Sequence, residues 1–456
     1  MPWKPVIIAW ICAAVAMLAA LVTRPSPPEL VVPRSLGLDP AQLTALVIEQ
    51  GSRSLRVSRG GGPAGWSLEE TVGRGSGRVW PADESRVRAT LRLLSRAEAR
   101  PLEGKRRGDD TTLTFRWTTG EQNEQAVRLG PPGPGGLATI EFGGETLLIE
   151  SQLFRLLSDA SLVAWGSRQA MPGAFAVPPR SIRLDAAGQS LKLTRRGERW
   201  TISTRSGVIP ADSSRIGVLA TALANLNLAI GVEAQAEPES RESVATLTVE
   251  APGGTRWILD VTGPAGLDGA SVSVVARIER DDGTGASYLV TGTSDRSALD
   301  AITLAPEAFA ARQILDVSRA RVARVVISPA QTGEGPVLPQ PGLSGASVLE
   351  RGISGWSGTD GELAEALFTL VLEAPAQAIL VDRPRPDGEG IALIQLEGSD
   401  GVPLGAFSLR LGTDVNGETL LWARTGPVDR AFDGAAVAGL LETLAQRVSE
   451  AATPSR

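Results

Sequence analysis

The chain has 456 residues, 42% of them hydrophobic, and a formal net charge of −6 from 51 acidic and 45 basic residues. Length and composition predict a folded protein with a large core, divided among about two to four domains. The charges are spread along the whole chain without the concentrated basic face that phosphate backbones need, which argues against nucleic acid as a partner.

The N-terminus comes first and reads unlike the rest. An uncharged apolar run from Val6 to Val22 would span roughly 25 Å as a helix, near the lower limit for crossing a hydrocarbon core. Lys4 before it favours an N-in orientation. Residues 1–24 are therefore expected to be an uncleaved transmembrane anchor, with a cleaved signal peptide as the rival reading. The single cysteine, Cys12, lies inside this run and reads as a small apolar side chain, so no intrachain disulfide forms. Residues 25–38, "PSPPELVVPRSLGL", read as a proline-rich linker. The expected placement is a single-pass protein of the inner membrane with the bulk of the chain periplasmic.

Beyond the linker, period-two alternation in "LTALVIEQ" and "SLRVSR" predicts an antiparallel hairpin ending at Trp66. The stretch "WPADESRVRATLRLL" follows, and its apolar residues Val87, Leu91 and Leu94 fall at helical spacing. A second hairpin, "SIRLDAAGQSLKLTRRGERW", ends at Trp200 and is followed by "IPADSSRIGVLATAL", with Ile216, Leu219, Leu223 and Leu226 at the same spacing. Pro81 to Asp83 and Pro210 to Asp212 thus mark one strand-to-helix corner written twice. Asp83 and Asp212 are expected to cap the helices, contributing about 1 kcal/mol each. Each copy continues with strand-like text and closes alike, in "GGETLLIESQLFRLL" and "GASYLVTGTSDRSAL". A degenerate third copy has "RVARVVIS", then Trp356, then "TDGELAEALFTLVL", where Thr359 and Glu362 are spaced as a capping box. It lacks "PAD".

These features resemble a family of bacterial membrane-anchored proteins, domain-of-unknown-function family 4340, whose members carry an N-terminal hydrophobic helix, hairpins ending in a "GxW" element and a "PAD" leading into a leucine-rich helix. The matching residues are Gly65 and Trp66, Pro81 to Asp83, Gly197 and Trp200, and Pro210 to Asp212, covering most of residues 39–300. The resemblance implies an extracytoplasmic accessory role beside gliding-motility-type ABC transporter components, and it supplies no catalytic residue.

The chemistry is bounded by what is missing. There is no histidine, so Ser-His-Asp and Cys-His systems, histidine bases and most zinc sites are excluded. "GRGSGRVW" from Gly73 lacks the Lys-Ser/Thr ending of a phosphate loop, and "GPPGPGG" from Gly130 reads as a turn cluster. Paired carboxylates at Asp109 and Asp110 and at Asp281 and Asp282 read as solvated turns rather than catalytic or calcium sites. Trp66, Trp200 and Trp356 read as core anchors rather than sugar platforms, because they recur at one place in the repeat. Arg86 and Arg215 read as surface residues of the first helical turn, with phosphate or headgroup binding as the functional alternative.

The expected architecture is α+β: an N-terminal transmembrane helix, then about three tandem repeats of antiparallel sheet plus packed helix, over 39–165, 178–318 and, degenerate, 319–450. The structural motif residues are Trp66, Pro81, Asp83, Trp200, Pro210, Asp212 and Trp356. The expected function is a non-enzymatic periplasmic accessory or scaffold protein without a cofactor, binding envelope or ABC-transporter membrane proteins. A glycan-binding protein is the first alternative and a carboxylate-based hydrolase the second.

Overall fold

Alternating apolar positions bury one face of a strand and leave the other to water, and runs of this kind build three antiparallel sheets. The computed structural model describes residues 34–36, 39–60, 65–73, 77–102, 113–119, 123–230, 243–265, 271–280, 287–296, 299, 302–330, 346–352, 355–356, 358–384, 387–413 and 417–452. The chain divides into two compact units between Ser167 and Arg168.

The first unit holds a ten-stranded sheet. A meander of β2 (Leu43–Gln50), β3 (Arg53–Arg59), β4 (Trp66–Val72) and β5 (Arg78–Pro81) leads to helix α1 (Glu84–Arg96). The chain then runs to the far edge as β6 (Glu98–Pro101) and returns inward through β7 (Leu113–Thr119), β8 (Asn123–Pro132), β9 (Leu137–Phe142) and β10 (Glu145–Glu150). With β1 (Arg34–Ser35), the spatial order is β1-β6-β10-β9-β8-β7-β2-β3-β4-β5. Helices α2 (Ser151–Leu157) and α3 (Leu162–Trp165) close the unit. The core comprises the inward strand residues, such as Leu46, Ile48, Leu55, Phe115 and Ile140, under Val87, Leu91 and Leu94 of α1.

The second unit repeats that path in a nine-stranded sheet. β11 (Ser181–Ala186), β12 (Gln189–Arg196), β13 (Arg199–Thr204) and β14 (Gly207–Pro210) form the meander, followed by α4 (Ser213–Ala224). β15 (Ala229–Ile230) lies at the far edge, and β16 (Ala245–Glu250), β17 (Arg256–Ala265), β18 (Ser271–Glu279) and β19 (Ser287–Asp295) fill the middle. The seven-stranded third sheet, also in this unit, keeps the path but shortens it. Only β20 (Arg324–Pro329) and β21 (Ser347–Glu350) precede α5 (Gly358–Phe368). β22 (Ala378–Val381) takes the far edge, β23 (Glu389–Glu397), β24 (Pro403–Thr413), β25 (Thr419–Thr425) and β26 (Val428–Asp433) follow, and α6 (Ala438–Ala452) ends the described chain. Among the described residues the third sheet therefore has no counterpart of the two outer meander strands that carry "W" and "PAD" in the others.

Several expectations need correction. The class is mostly antiparallel sheet rather than α+β: helices α1, α4 and α5 span only 13, 12 and 11 residues, whereas nearly every alternating segment became a strand. The predicted transmembrane helix, with Cys12, lies outside the described residues. Among the described residues no helix is long and apolar enough to cross a membrane, and the longest, α6 at 15 residues, falls short of a bilayer span. The placement as a single-pass inner-membrane protein with a periplasmic bulk is accordingly not carried forward. The expected linker 25–38 also contains β1, whose Arg34 and Ser35 pair with Ala99 and Glu98.

The tryptophans sit differently from expectation too. Trp66 and Trp200 do not end two-stranded hairpins; they are, respectively, the first and second residues of the third strand in a four-stranded meander. Trp356 belongs to no strand and packs edge-on against Phe368 at 5.5 Å. Thr359 lies inside α5, one residue past its start, rather than preceding the helix as a cap. The helix instead ends in a π turn, Thr369–Glu373, which carries Leu370 and Val371 into the third core.

Candidate functional site

The repeated corner is the first candidate, and its geometry is the same in both copies. Asp83 Oδ1 accepts from the N–H groups of Ser85 (2.8 Å) and Arg86 (3.3 Å) and from the Ser85 hydroxyl (2.6 Å). Asp212 Oδ1 accepts likewise from Ser214 (2.9 Å), Arg215 (3.3 Å) and the Ser214 hydroxyl (2.6 Å). Both acids therefore satisfy orphan donors of a first helical turn. Burial alone would raise the pKa of Asp212, but the Ser214 hydroxyl, the Ser214 and Arg215 N–H groups and the Arg215 charge outweigh it and hold the carboxyl below 3.8.

The corner also binds the segment that leaves its own sheet. Asp83 N–H donates to Trp165 O at 2.7 Å, Ser167 N–H donates to Pro81 O at 2.8 Å, and Ala82 forms an antiparallel bridge with Gly166. In the second sheet Asp212 N–H donates to Phe309 O at 2.8 Å, Ala311 N–H donates to Pro210 O at 3.1 Å, and Ala211 bridges Ala310. On the opposite side, the Ala82 and Ala211 N–H groups donate to Trp66 O and Trp200 O. Successive residues of a strand point their backbone groups to opposite sides. Pro81 and Pro210 thus fall at positions facing away from the sheet, where proline withholds the N–H a neighbouring strand would need.

Arg86 and Arg215 complete the corner and are not free surface cations. Arg86 Nη2 donates to Leu156 O at 2.9 Å and its guanidinium lies 4.9 Å from the Trp165 ring centroid. Arg215 Nη1 donates to Ala308 O at 2.9 Å. The surface reading is corrected by these bonds. The signature is therefore P-A-D-x-S-R; sequence reasoning missed its serine, Ser85 and Ser214, and placed its arginine on the surface. Their identical offsets in "PADESR" and "PADSSR" were the available signal.

The other candidates are quickly placed. Trp66 is 8% and Trp200 9% exposed, both inside the core, while Trp356 is half-buried. Asp109, Asp110, Asp281 and Asp282 lie outside the described residues. Among the described residues, no three His, Cys, Asp or Glu gather as metal ligands. An open cleft of about 410 Å³ at one end of the third sheet is lined by Arg321, Arg351, Ser399 and Asp400 among others. Arg351 there donates to Ala320 O at 3.2 Å, and Asp400 Oδ1 accepts from Val402 N–H at 3.1 Å. Arg430, 1% exposed, donates from Nε to Ala311 O at 2.9 Å, and burial, partly offset by Asp429, lowers its pKa to about 10. Ala311 is thereby held on both sides, by Pro210 and by Arg430, which ties the second corner to the third sheet.

No family model and no curated protein matches the chain. Among solved structures it is similar, at 8% identity, to DNA polymerase III subunit beta from Pseudomonas aeruginosa, over 90% of this chain and 84% of that one, with a TM-score of 0.15. A DNA polymerase sliding clamp from the same organism aligns at 8% identity over 87% and 92% with a TM-score of 0.16. A putative DNA polymerase III beta subunit from Eubacterium rectale aligns at 7% over 88% and 93% with a TM-score of 0.14. Similarity this weak carries no argument.

Proposed function

We propose that the chain is a non-enzymatic accessory or scaffold protein that works by binding other proteins, components of an ABC-type export assembly foremost. One observation carries the reading: the charged corner motif that the sequence repeats is engaged within the fold, its Asp, Ser and Arg all bonded to the chain itself. The outer sheet faces support it. Charges there pair across strands, as Arg116 with Glu49 (2.8 Å), Arg256 with Glu279 (3.7 Å) and Arg324 with Glu350 (3.0 Å). Burial of Trp66 and Trp200 removes them as sugar platforms. The ABC-type partner rests on the resemblance around the tryptophans and the two corners.

Affinity capture of the full chain, followed by reconstitution with any transporter component recovered, tests this. The expected result is a stoichiometric complex that survives Asp83→Ser and Asp212→Ser, with no saturable binding on a glycan array. Glycan binding or hydrolysis by the purified chain would contradict it.

A further inference from the structure

The chain passes from the second sheet to the third at Ala311, and the contacts across that crossing are of two kinds. Inside lies Arg430 of β26, whose Nε donates to Ala311 O, while Ala311 N–H donates to Pro210 O. Arg430 is 1% exposed, so breaking its bond would take an acceptor away from a buried cation, which is costly. Further out are three contacts, each with an exposed partner. Asp382, one residue past β22, accepts through Oδ2 from Arg205 N–H at 2.8 Å. Arg199 of β13 pairs with Asp316 at 3.2 Å, and Arg383 pairs with Glu307 at 3.5 Å. Asp316 lies between Leu315 and Val317, which pack on the third core. Glu307 lies in the 3-10 turn Pro306–Ala308, whose last carbonyl is held by Arg215 of the second corner. Each pair therefore joins one sheet to the other, and exposed ion pairs open easily.

Asp382 is the most specific of the three. It stands at φ 52°, a left-handed conformation that residues other than glycine keep only where contacts hold them. Its own N–H donates to Pro427 O, which fixes it to the third sheet. Its carboxylate meets the two-residue turn Arg205–Ser206, which Thr204 and Gly207 close between β13 and β14. The first N–H of such a turn has no partner inside the hairpin, and Asp382 supplies one. Burial alone would raise the pKa of Asp382, but the Ser206 hydroxyl, the Arg205 N–H, the Thr204 hydroxyl and the Ser206 N–H outweigh it and hold the carboxyl below 3.8.

We propose that the second and third sheets are joined by a hinge, with the Arg430–Ala311 contact as pivot and the grip of Asp382 on the β13–β14 turn as latch. In the closed form the turn is held; in the open form it is free and the two sheets rotate about Ala311. A buried axis with breakable contacts around it is the arrangement a hinge needs. This goes beyond the scaffold reading and does not depend on it.

Two measurements on the full chain test it: residue-resolved amide exchange, and the distance distribution between spin labels on Val208→Cys and Val402→Cys in a Cys12→Ser background. Both labelled valines are exposed. In the otherwise unaltered chain the Arg205 amide should exchange at least about tenfold more slowly than that of Glu198, in the turn between β12 and β13. Asp382→Gly removes the carboxylate and also relieves the left-handed backbone, so it folds. It should bring Arg205 to the rate of Glu198 and broaden the distance distribution, with the unfolding midpoint unchanged. Asp382→Asn keeps an acceptor oxygen and tolerates the same backbone, and should keep the distribution narrow. Arg430→Ala should instead lower the unfolding midpoint. An Arg205 amide as fast as Glu198 before any change at Asp382, an unchanged distribution in Asp382→Gly, or an unchanged midpoint in Arg430→Ala would each overturn the proposal.

Discussion

The first two sheets and the third follow one path, yet end their meanders in opposite ways. Where "PAD" is present, the meander has four strands, its last edge is blunted by proline, the exit segment is stitched to it, and the helix is capped by aspartate. Where "PAD" is absent, the described residues hold no counterpart of the two outer strands, and Trp356, Phe368 and the π turn pack into the core instead. The lesson is that the motif is one piece of structural logic rather than a catalytic signature. Each residue answers a separate demand of the same corner: no donor at the edge, no bulk at the bridge, an acceptor at the helix start.

The largest expected effect breaks this comparison at its tryptophans. Trp66→Ala and Trp200→Ala should each cost about 3–5 kcal/mol, since each empties a buried site. Trp356→Ala, half-buried and off the sheet, should cost roughly half as much. Denaturant unfolding of the full chain, read per unit by hydrogen exchange, checks both. Equal costs at all three positions would restore the equivalence of the third copy.

Next come the caps. Asp83→Ala and Asp212→Ala should each cost about 0.5–2 kcal/mol, whereas Asp→Ser at either position should stay near wild type. An Asp→Ser variant that folds normally but loses partner binding would turn the corner into a binding site. Acid sharpens the point for Asp212. Its carboxyl is held below 3.8, so it contributes stability above that value and loses it as pH falls through the lower folded value. The acid-unfolding curve of Asp212→Asn should therefore be shallower than wild type below pH 3.8, and coincident curves would contradict the assignment.

The smallest effect concerns the edges. Pro81→Ala and Pro210→Ala should change stability by less than about 1 kcal/mol, because neither proline nitrogen faces a partner in the sheet. Each restores an outward donor, so a slight rise in concentration-dependent association by light scattering is expected, and a large loss of stability would contradict the edge placement.

Much of this was legible in the sequence because burial on one face imposes a period. "SLRVSR" and "SLKLTR" are strands for that reason, and Val87, Leu91 and Leu94 are a helix face for the same one. Asp83 and Asp212 could be read as caps because capping is local. The jump of β6 and β15 to the far edge was not legible, since strands of four and two residues carry no period. Nor was the role of Arg86 and Arg215, whose acceptors Leu156 and Ala308 lie far along the chain. The strand-dominated class was missed because the helical stripes are conspicuous, while strands of up to 11 residues outnumber the helix in every unit of the repeat.

Residue-resolved amide exchange on the full chain tests the central claim most directly. If the corner is a structural seal, the amides of Ala82, Asp83, Ala211 and Asp212, bonded to Trp66, Trp165, Trp200 and Phe309 carbonyls, are protected like core strands, while the outward amides of Val79 and Val208 on the same two edge strands exchange fast. Corner amides exchanging as fast as those of Val79 and Val208 would contradict it.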